Sequence, residues 1–372
     1  MNMQSSSQPL AAVVRPANAA DNAGLLALVR RCTMDADISL IVERDPDFFA
    51  LSRARGDTHT SVAEIDGVIV GCFSSWRHDA WLCGSRADIC YVGDLRVAPE
   101  HRRRGIARQL ADINTEYLAT LPVVPYLGAA AAGNAPVESL AAAYGAGGPA
   151  LSLFTSWQLL PMVRLKIPAT YDIGAAGPGD EGELVALLDD FYRQRDFSPV
   201  FGGGGLANLL ARSPGMQLCD YLIARRRGRI AAAIGVWDAS SIRRTRVAGM
   251  PLWLRAVCTA GRAASRFVSF PPFPQPGALL RFRYIRHAAY AAGEMDALRA
   301  LVRWAANGAR ARDEHFLLYT CADDDPLRDA VAGAPRLSFH YGVGSGNYFP
   351  QMPALKAESA PRSWYFDDAA LA

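Results

Sequence analysis

The feature that most constrains this chain is an internal repeat the size of a domain. SVAEIDGVIVGCFSSW (61–76) and LIARRRGRIAAAIGVW (222–237) follow one pattern. Each reads as a strand, a turn at Gly67 or Gly228, and a second strand ending on Trp76 or Trp237, nine residues past the glycine. Upstream of each lies an acid-led amphipathic segment, DNAGLLALVRRC (21–32) and DEGELVALLDDF (180–191). Leu25, Leu28 and Val29 in one and Leu184, Leu187 and Leu188 in the other fall at helical spacing. The units recur at an offset of roughly 160 residues, too long for a solenoid, so the chain holds two copies of one fold. Each copy is expected to run strand, one or two helices, hairpin, strand, helix, strand, helix, strand. That is a mixed α/β (α+β) class with a twisted mixed sheet flanked by helices.

The expected layout is a tail over 1–9, a first domain over 10–165, a second over 168–352 with an inserted segment near 239–280, and an extension over 353–372. The insertion is rich in Arg, Pro and aromatics and is expected to pack between the domains. FGGGGL (201–206) reads as a flexible loop, since it lacks the Gly-Lys-Ser/Thr of a phosphate loop. In the extension, Trp364, Tyr365 and Phe366 are available to dock on a body.

Half of the 372 residues are hydrophobic and the net charge is +3, which supports two cores and argues against a nucleic-acid-binding polycation. Lys166 and Lys356 are the only lysines, so the many arginines reflect a compositional bias as well as chemistry. Seven scattered cysteines with no C-x-x-C pair argue against a zinc site or a disulfide framework and for a reducing, bacterial-type cytoplasm. The first residues lack the pattern of a signal peptide, and no apolar run is long enough to span a bilayer.

One loop carries chemistry. ADICYVGDLRV (87–97) supplies strand residues, Pro99 ends the ladder, and GIARQLADINTEYLATL (105–121) begins a helix at once. Ile106, Leu110, Ile113, Tyr117, Leu118 and Leu121 are expected on its buried face. EHRRRG thus sits between a strand and a helix N-terminus, where free N–H groups and the helix dipole attract anions. Gly105 keeps side-chain bulk away, Ala107 keeps the helix start open, and the arginines can make charge-assisted bonds to phosphate.

Leu95-x-Val97-x-Pro99-x-x-Arg102-x-x-Gly105-x-Ala107 resembles the signature of the GNAT N-acetyltransferase superfamily, and the element order over 10–165 is similar to that family's fold. The resemblance implies that Arg102, Arg103, Arg104, Gly105, Ile106, Ala107 and Arg108 hold the pyrophosphate of acetyl-CoA. It implies that the main chain of Leu95, Arg96 and Val97 lines the pantetheine arm and the thioester, and that the next strand splays away to open a slot. Asn134 falls where the family commonly has an Asn contacting the cofactor arm. Ala141 falls where it commonly has a general-acid Tyr, with Tyr144 one turn later, and YLGAAAAG (126–133) lacks the carboxylate that some members use as base.

Asp94, the one carboxylate on the central strand beside the slot, is the expected base, with pairing to Arg96 as its structural alternative. Tyr91, expected on the opposite strand face from Asp94, and Tyr144 are the candidate proton donors. His78 and Asp79 could face the acceptor, and Glu138 reads as a helix-start carboxylate. The second copy has no Arg-x-x-Gly-x-Gly/Ala; Glu294 and Asp296 stand at its helix start and would repel a phosphate, so it reads as degenerate. The expected function is transfer of an acetyl group from acetyl-CoA to a small-molecule or peptide amine, with no metal, nucleic acid or membrane partner and with homodimerisation left open. The alternative is a non-catalytic acyl-CoA-binding or sensory protein.

Overall fold

The computed structural model describes residues 12–34, 38–122, 125–143, 151–264, 273–346 and 362–366. The first half runs β1 (Val13–Pro16), α1 (Asn22–Arg31), β2 (Ser39–Glu43), α2 (Phe48–Arg55), β3 (Asp57–Ile65), β4 (Val68–Leu82), β5 (Ser85–Val97), α3 (Ile106–Ala119), β6 (Tyr126–Ala131), α4 (Ala135–Ala143) and β7 (Leu151–Leu159). The second runs β8 (Asp172–Ala175), α5 (Glu181–Tyr192), β9 (Ser198–Pro199), α6 (Gly205–Arg212), β10 (Tyr221–Arg226), β11 (Arg229–Trp237), β12 (Arg244–Gly249), α7 (Leu252–Ala264), β13 (Leu279–Leu280), β14 (Phe282–Tyr290), α8 (Met295–Ala311), β15 (Phe316–Ala322) and β16 (Arg336–Gly346).

The repeat is visible in the backbone. Both hairpin turns place two successive residues at positive φ, Asp66 and Gly67 in one and Arg227 and Gly228 in the other. That geometry suits the right-handed twist of the flanking strands. Trp76, in the middle of β4, and Trp237, the last residue of β11, are both fully buried.

The two expected sheets are in fact one. The strand order β1-β3-β4-β5-β6-β16-β7-β15-β14-β11-β10-β8 forms a continuous mixed sheet, 13-stranded with β9 on the side of β4. The halves exchange their last strands: β7 lies against β15 and β16, and β16 lies against β6 and β7. Each half would otherwise expose the edge of its fifth strand, and the exchange pairs both edges inside the chain. The exchanged strand carries core residues with it. Trp157 and Leu159 of β7 pack in the cluster centred on α5, β11 and α8, while Phe154 and Val343 pack at the junction with Ile89 and Leu127.

The inserted segment also crosses between the halves. β12 pairs with β2, and Arg246 Nε donates to Glu43 Oε1 at 2.5 Å. On α3 the buried face is Ile106, Leu110, Ala111, Asn114 and Leu118, so Asn114 replaces the expected Ile113. The Ser75 hydroxyl satisfies the Asn114 side chain, which makes a polar residue tolerable there. Among the described residues no helix is long and apolar enough to cross a membrane.

Candidate functional site

β5 and β6 run parallel, but only over Cys90–Val92 against Tyr126–Gly128; beyond that β5 continues alone to Val97. On its other side β5 stays paired with β4 through a bulge, in which Ser74 faces Gly93 but Cys72 already faces Arg96. Asp94 sits in that bulge at φ +56°. The Ala98 N–H donates to Val70. Strand alternation then turns the main-chain groups of Leu95 and Val97 to the edge that β6 has left open. The side chains of Leu95 and Val97 pack on the first-half core, so what they offer a ligand is backbone.

The open edge leads to the helix start. Arg102, Arg103 and Arg104 are exposed, and Arg102 Nε donates to the Val97 carbonyl at 3.1 Å, tying the loop to the end of β5. Gly105 stands at φ +79° as the N-cap of α3, with open space where a Cβ would project. Its carbonyl already accepts from Arg108 and Gln109, while a first-turn N–H has no carbonyl within the helix to bond. Ile106 is buried, so of the residues expected to bind here it can contribute only its N–H; Ala107 is partly buried and Arg108 exposed. Asn134 is exposed at the start of α4, where its carbonyl accepts from Val137 and Glu138. Glu138 accepts from the Gly133 N–H, the helix-start role expected of it. Tyr144 lies outside the described residues.

Asp94 does not have the character of a base. Its carboxylate is buried and gripped in a bidentate pair by Arg44, one contact being 2.6 Å, with Arg96 3.7 Å away. Burial alone would raise its pKa, but the charges of Arg44 and Arg55 and the Arg44 hydrogen bonds outweigh it and hold the carboxyl well below the usual range. A carboxylate that weakly basic is a poor proton acceptor. The expectation of a catalytic Asp94 is corrected on that ground; the residue braces the bulge. Arg55 lies 5.3 Å from the Tyr91 ring, and its charge also acts on Asp94.

Beside the slot lies a cavity of about 150 Å³ that sequence reasoning did not find. Ile89 and Tyr91 of β5 and Leu127 of β6 form its floor where the two strands still pair. His78 and Asp79 line it from within β4. The opposite wall comes from the second half: the 197–205 loop, Arg212 of α6, and Arg286 and His287 of β14. Tyr365 and Phe366 close one end, Phe366 with its ring 5.4 Å from Tyr91 and 5.7 Å from Phe154. The glycine run is a packed corner here and not the flexible loop expected. A Cβ on Gly205 would come within 2.0 Å of the Val200 carbonyl oxygen, and Phe201 and Gly202 both donate to Asp189 at 3.0 Å.

The second half repeats the bulge without the slot. Ala233 faces Ala289 but Gly235 already faces Arg286, and His287 stands at φ +52°. β14 and β15 also part company after Ile285 and Tyr319, yet the space there is only about 20 Å³ and is walled by Trp364, Tyr365 and Phe366. The helix start carries Glu294, whose carboxylate accepts from Arg226 at 2.9 Å and from Tyr171 at 3.3 Å.

Residues 27–145 match the family model for the acetyltransferase (GNAT) family. This chain contains a GNAT-family domain. Over nearly its whole length it also shares the fold of several solved structures. A GCN5-related N-acetyltransferase from Sphaerobacter thermophilus is 14% identical with a TM-score of 0.57, over 93% of this chain and 98% of that one. Saccharomyces cerevisiae N-myristoyltransferase with bound myristoyl-CoA is 11% identical with a TM-score of 0.60, over 92% and 85%. A tandem GNAT protein from the clavulanic acid biosynthesis pathway is 14% identical with a TM-score of 0.56, over 92% and 100%. No curated protein matches the sequence at a significant level.

Proposed function

We propose that this protein transfers an acyl group, acetyl in the first instance, from acyl-CoA to an amine in the cytoplasm. The first domain (10–165) carries the CoA site and the second (168–352) builds the far wall of the acceptor site. The observation that carries this reading is the junction of the β5 edge beyond Val92 with the open helix start at Gly105. The Leu95 and Val97 main chain suits the amide-bearing arm, while the first-turn N–H groups of α3 and Arg102, Arg103, Arg104 and Arg108 suit the pyrophosphate. Asn134, exposed at the start of α4, stands where it can meet the same arm. All seven cysteines are free thiols, which suits a reducing compartment.

The chemistry needs a neutral amine, a polarised thioester carbonyl and a proton for the leaving thiolate. A backbone N–H at the bulge supplies polarisation, and holding both reactants together supplies much of the rate. No carboxylate base is required if the site itself favours the neutral amine. The cavity does so: among the described residues, Arg55, Arg86, Arg212 and Arg286 line it against one carboxylate, Asp79. Nearby positive charge lowers the pKa of a bound ammonium. Burial first and the Arg212 charge second push the His78 imidazole down to about 4. Tyr91, on the cavity floor, is the candidate that returns a proton to the thiolate. Calorimetry tests the reading directly: CoA should bind one site per chain, and acetyl-CoA with an amine panel should release CoA above the background rate. Two equivalent CoA sites would overturn the degenerate second copy, and CoA binding without turnover would favour the sensory alternative.

A further inference from the structure

The cavity has a composition that selects its occupant. Arg55 and Arg286 are buried, and each lies over one of the repeat-related tryptophans, Arg55 at 3.9 Å from Trp76 and Arg286 at 4.7 Å from Trp237. Both bring permanent positive charge to the cavity wall, and Arg286 Nη1 also donates to the Ser213 hydroxyl at 3.1 Å. Two further cavity-lining groups, His78 Nδ1 and Arg212 Nε, are buried with no hydrogen-bond partner among the described residues. Buried polar atoms are nearly always bonded, so two on one cavity call for a ligand that bonds them. Asp79, the lining carboxylate among the described residues, is exposed and stands directly across the hairpin from Asp88. An apolar side faces these groups, with Ile89, Tyr91, Leu127, Phe197 and Phe366.

We infer that the acceptor is a small amine that also bears an anionic group and an apolar body, an aminocarboxylate with an apolar side chain. Its carboxylate meets the Arg212–His78–Arg286 side, and its apolar body lies on the Tyr91–Phe366 side. An apolar cavity of about 150 Å³ can hold a benzene-sized group, which sets the scale of that body. The same field excludes polyamines and other polycationic acceptors, because each added ammonium meets four guanidiniums. The amine part of the inference rests on the acyltransferase reading; the anion part rests on the cavity alone.

The test keeps those two parts separate. Calorimetry on the full-length protein, with and without saturating CoA, would compare L-phenylalanine, L-phenylalaninamide, phosphoethanolamine and spermidine. Phenylalanine should bind about ten- to a hundredfold more tightly than its amide, the loss expected when a charge-assisted contact is removed. Arg212→Gln should erase most of that preference while leaving amide binding in place, and Arg212→Lys should restore part of it. Tighter binding of phosphoethanolamine would replace the carboxylate by a phosphate and overturn the aminocarboxylate assignment. Equal binding of acid and amide, or preferred binding of spermidine, would overturn the inference outright. If CoA fails to bind while the acid still does, the acyltransferase reading falls and the anion site stands.

Discussion

The two halves share a strand bulge and differ in what surrounds it. In the first, Asp94 occupies the bulge and is locked as an anion by Arg44; in the second, His287 occupies it and is kept neutral, its Nδ1 2.7 Å from the Tyr221 hydroxyl. Past the bulge, the first half leads to Gly105 and open space, the second to Glu294 and an ion pair. A repeated backbone therefore conserves the shape of a site without conserving its use. The slot needs an unfilled splay and a helix start free of the protein's own anions. The second half has neither, and its β14 contributes Arg286 and His287 to the cavity beside the first.

The largest expected effect breaks the asymmetry at the helix starts. Gly105→Glu should abolish CoA binding by calorimetry at only a modest cost in melting temperature: the position is exposed and a carboxylate there suits the helix dipole, while φ +79° strains any residue with a Cβ. Wild-type affinity in that variant would make the loop a surface turn and remove the main support for the acyltransferase reading.

Next in size is a comparison of the bulges. Arg44→Ala should cost about 3–5 kcal/mol in chemical denaturation, because it leaves the buried Asp94 carboxylate without its principal partner. Tyr221→Phe, which removes a neutral hydrogen bond to His287, should cost about 0.5–1.5 kcal/mol. Equal losses would mean that Asp94 is not bracing the fold.

A pH series sharpens the same contrast. Burial first and Arg286 second hold His287 well below its usual 6.5. Above that value neither folded nor unfolded chain is protonated there, and the stability is complete. As pH falls below 6.5 the unfolded chain binds the proton and the folded chain does not, so stability declines by up to about 1.4 kcal/mol per pH unit. His287→Gln should flatten that slope, and His78, held at about 4, contributes with the same sign. Asp94, held low, keeps its contribution throughout this window and loses it only in strong acid, so Asp94→Asn should leave the slope unchanged.

The smallest effect concerns Glu294. Its Arg226 partner is half exposed, so Glu294→Gln should change stability by less than about 1 kcal/mol. It should also fail to create a second CoA site, because the splay beyond it remains walled by the C-terminal residues. A second CoA equivalent in that variant would show that one carboxylate alone had silenced the second half.

Much of the slot was legible because its parts are contiguous. Residues 95–108 form a strand end, a turn and a helix start in one run, and each announces itself by local rules: Pro99 stops the ladder, Gly105 permits a left-handed cap, and periodicity starts the helix. The hairpins were legible for the same reason. The error at Asp94 came from a partner fifty residues earlier: nothing near Arg44 marks it as facing the bulge, and whether a carboxylate is a base or a brace depends on that partner.

By itself the sequence determined the repeat, the mixed α/β class, the position of the strand–turn–helix loop at Pro99–Gly105 and the absence of its motif from the second copy. These are decided by backbone geometry and side-chain period over short windows, which tertiary context modifies little. Only the tertiary structure decided the exchange of β7 and β16, the union of the two sheets, and the cavity whose wall draws on α2, β5, α6, β14 and Phe366. Strand partners are chosen by which edges are left open once everything else has packed, and a cavity is the space that remains. Neither quantity is carried by any one stretch of residues.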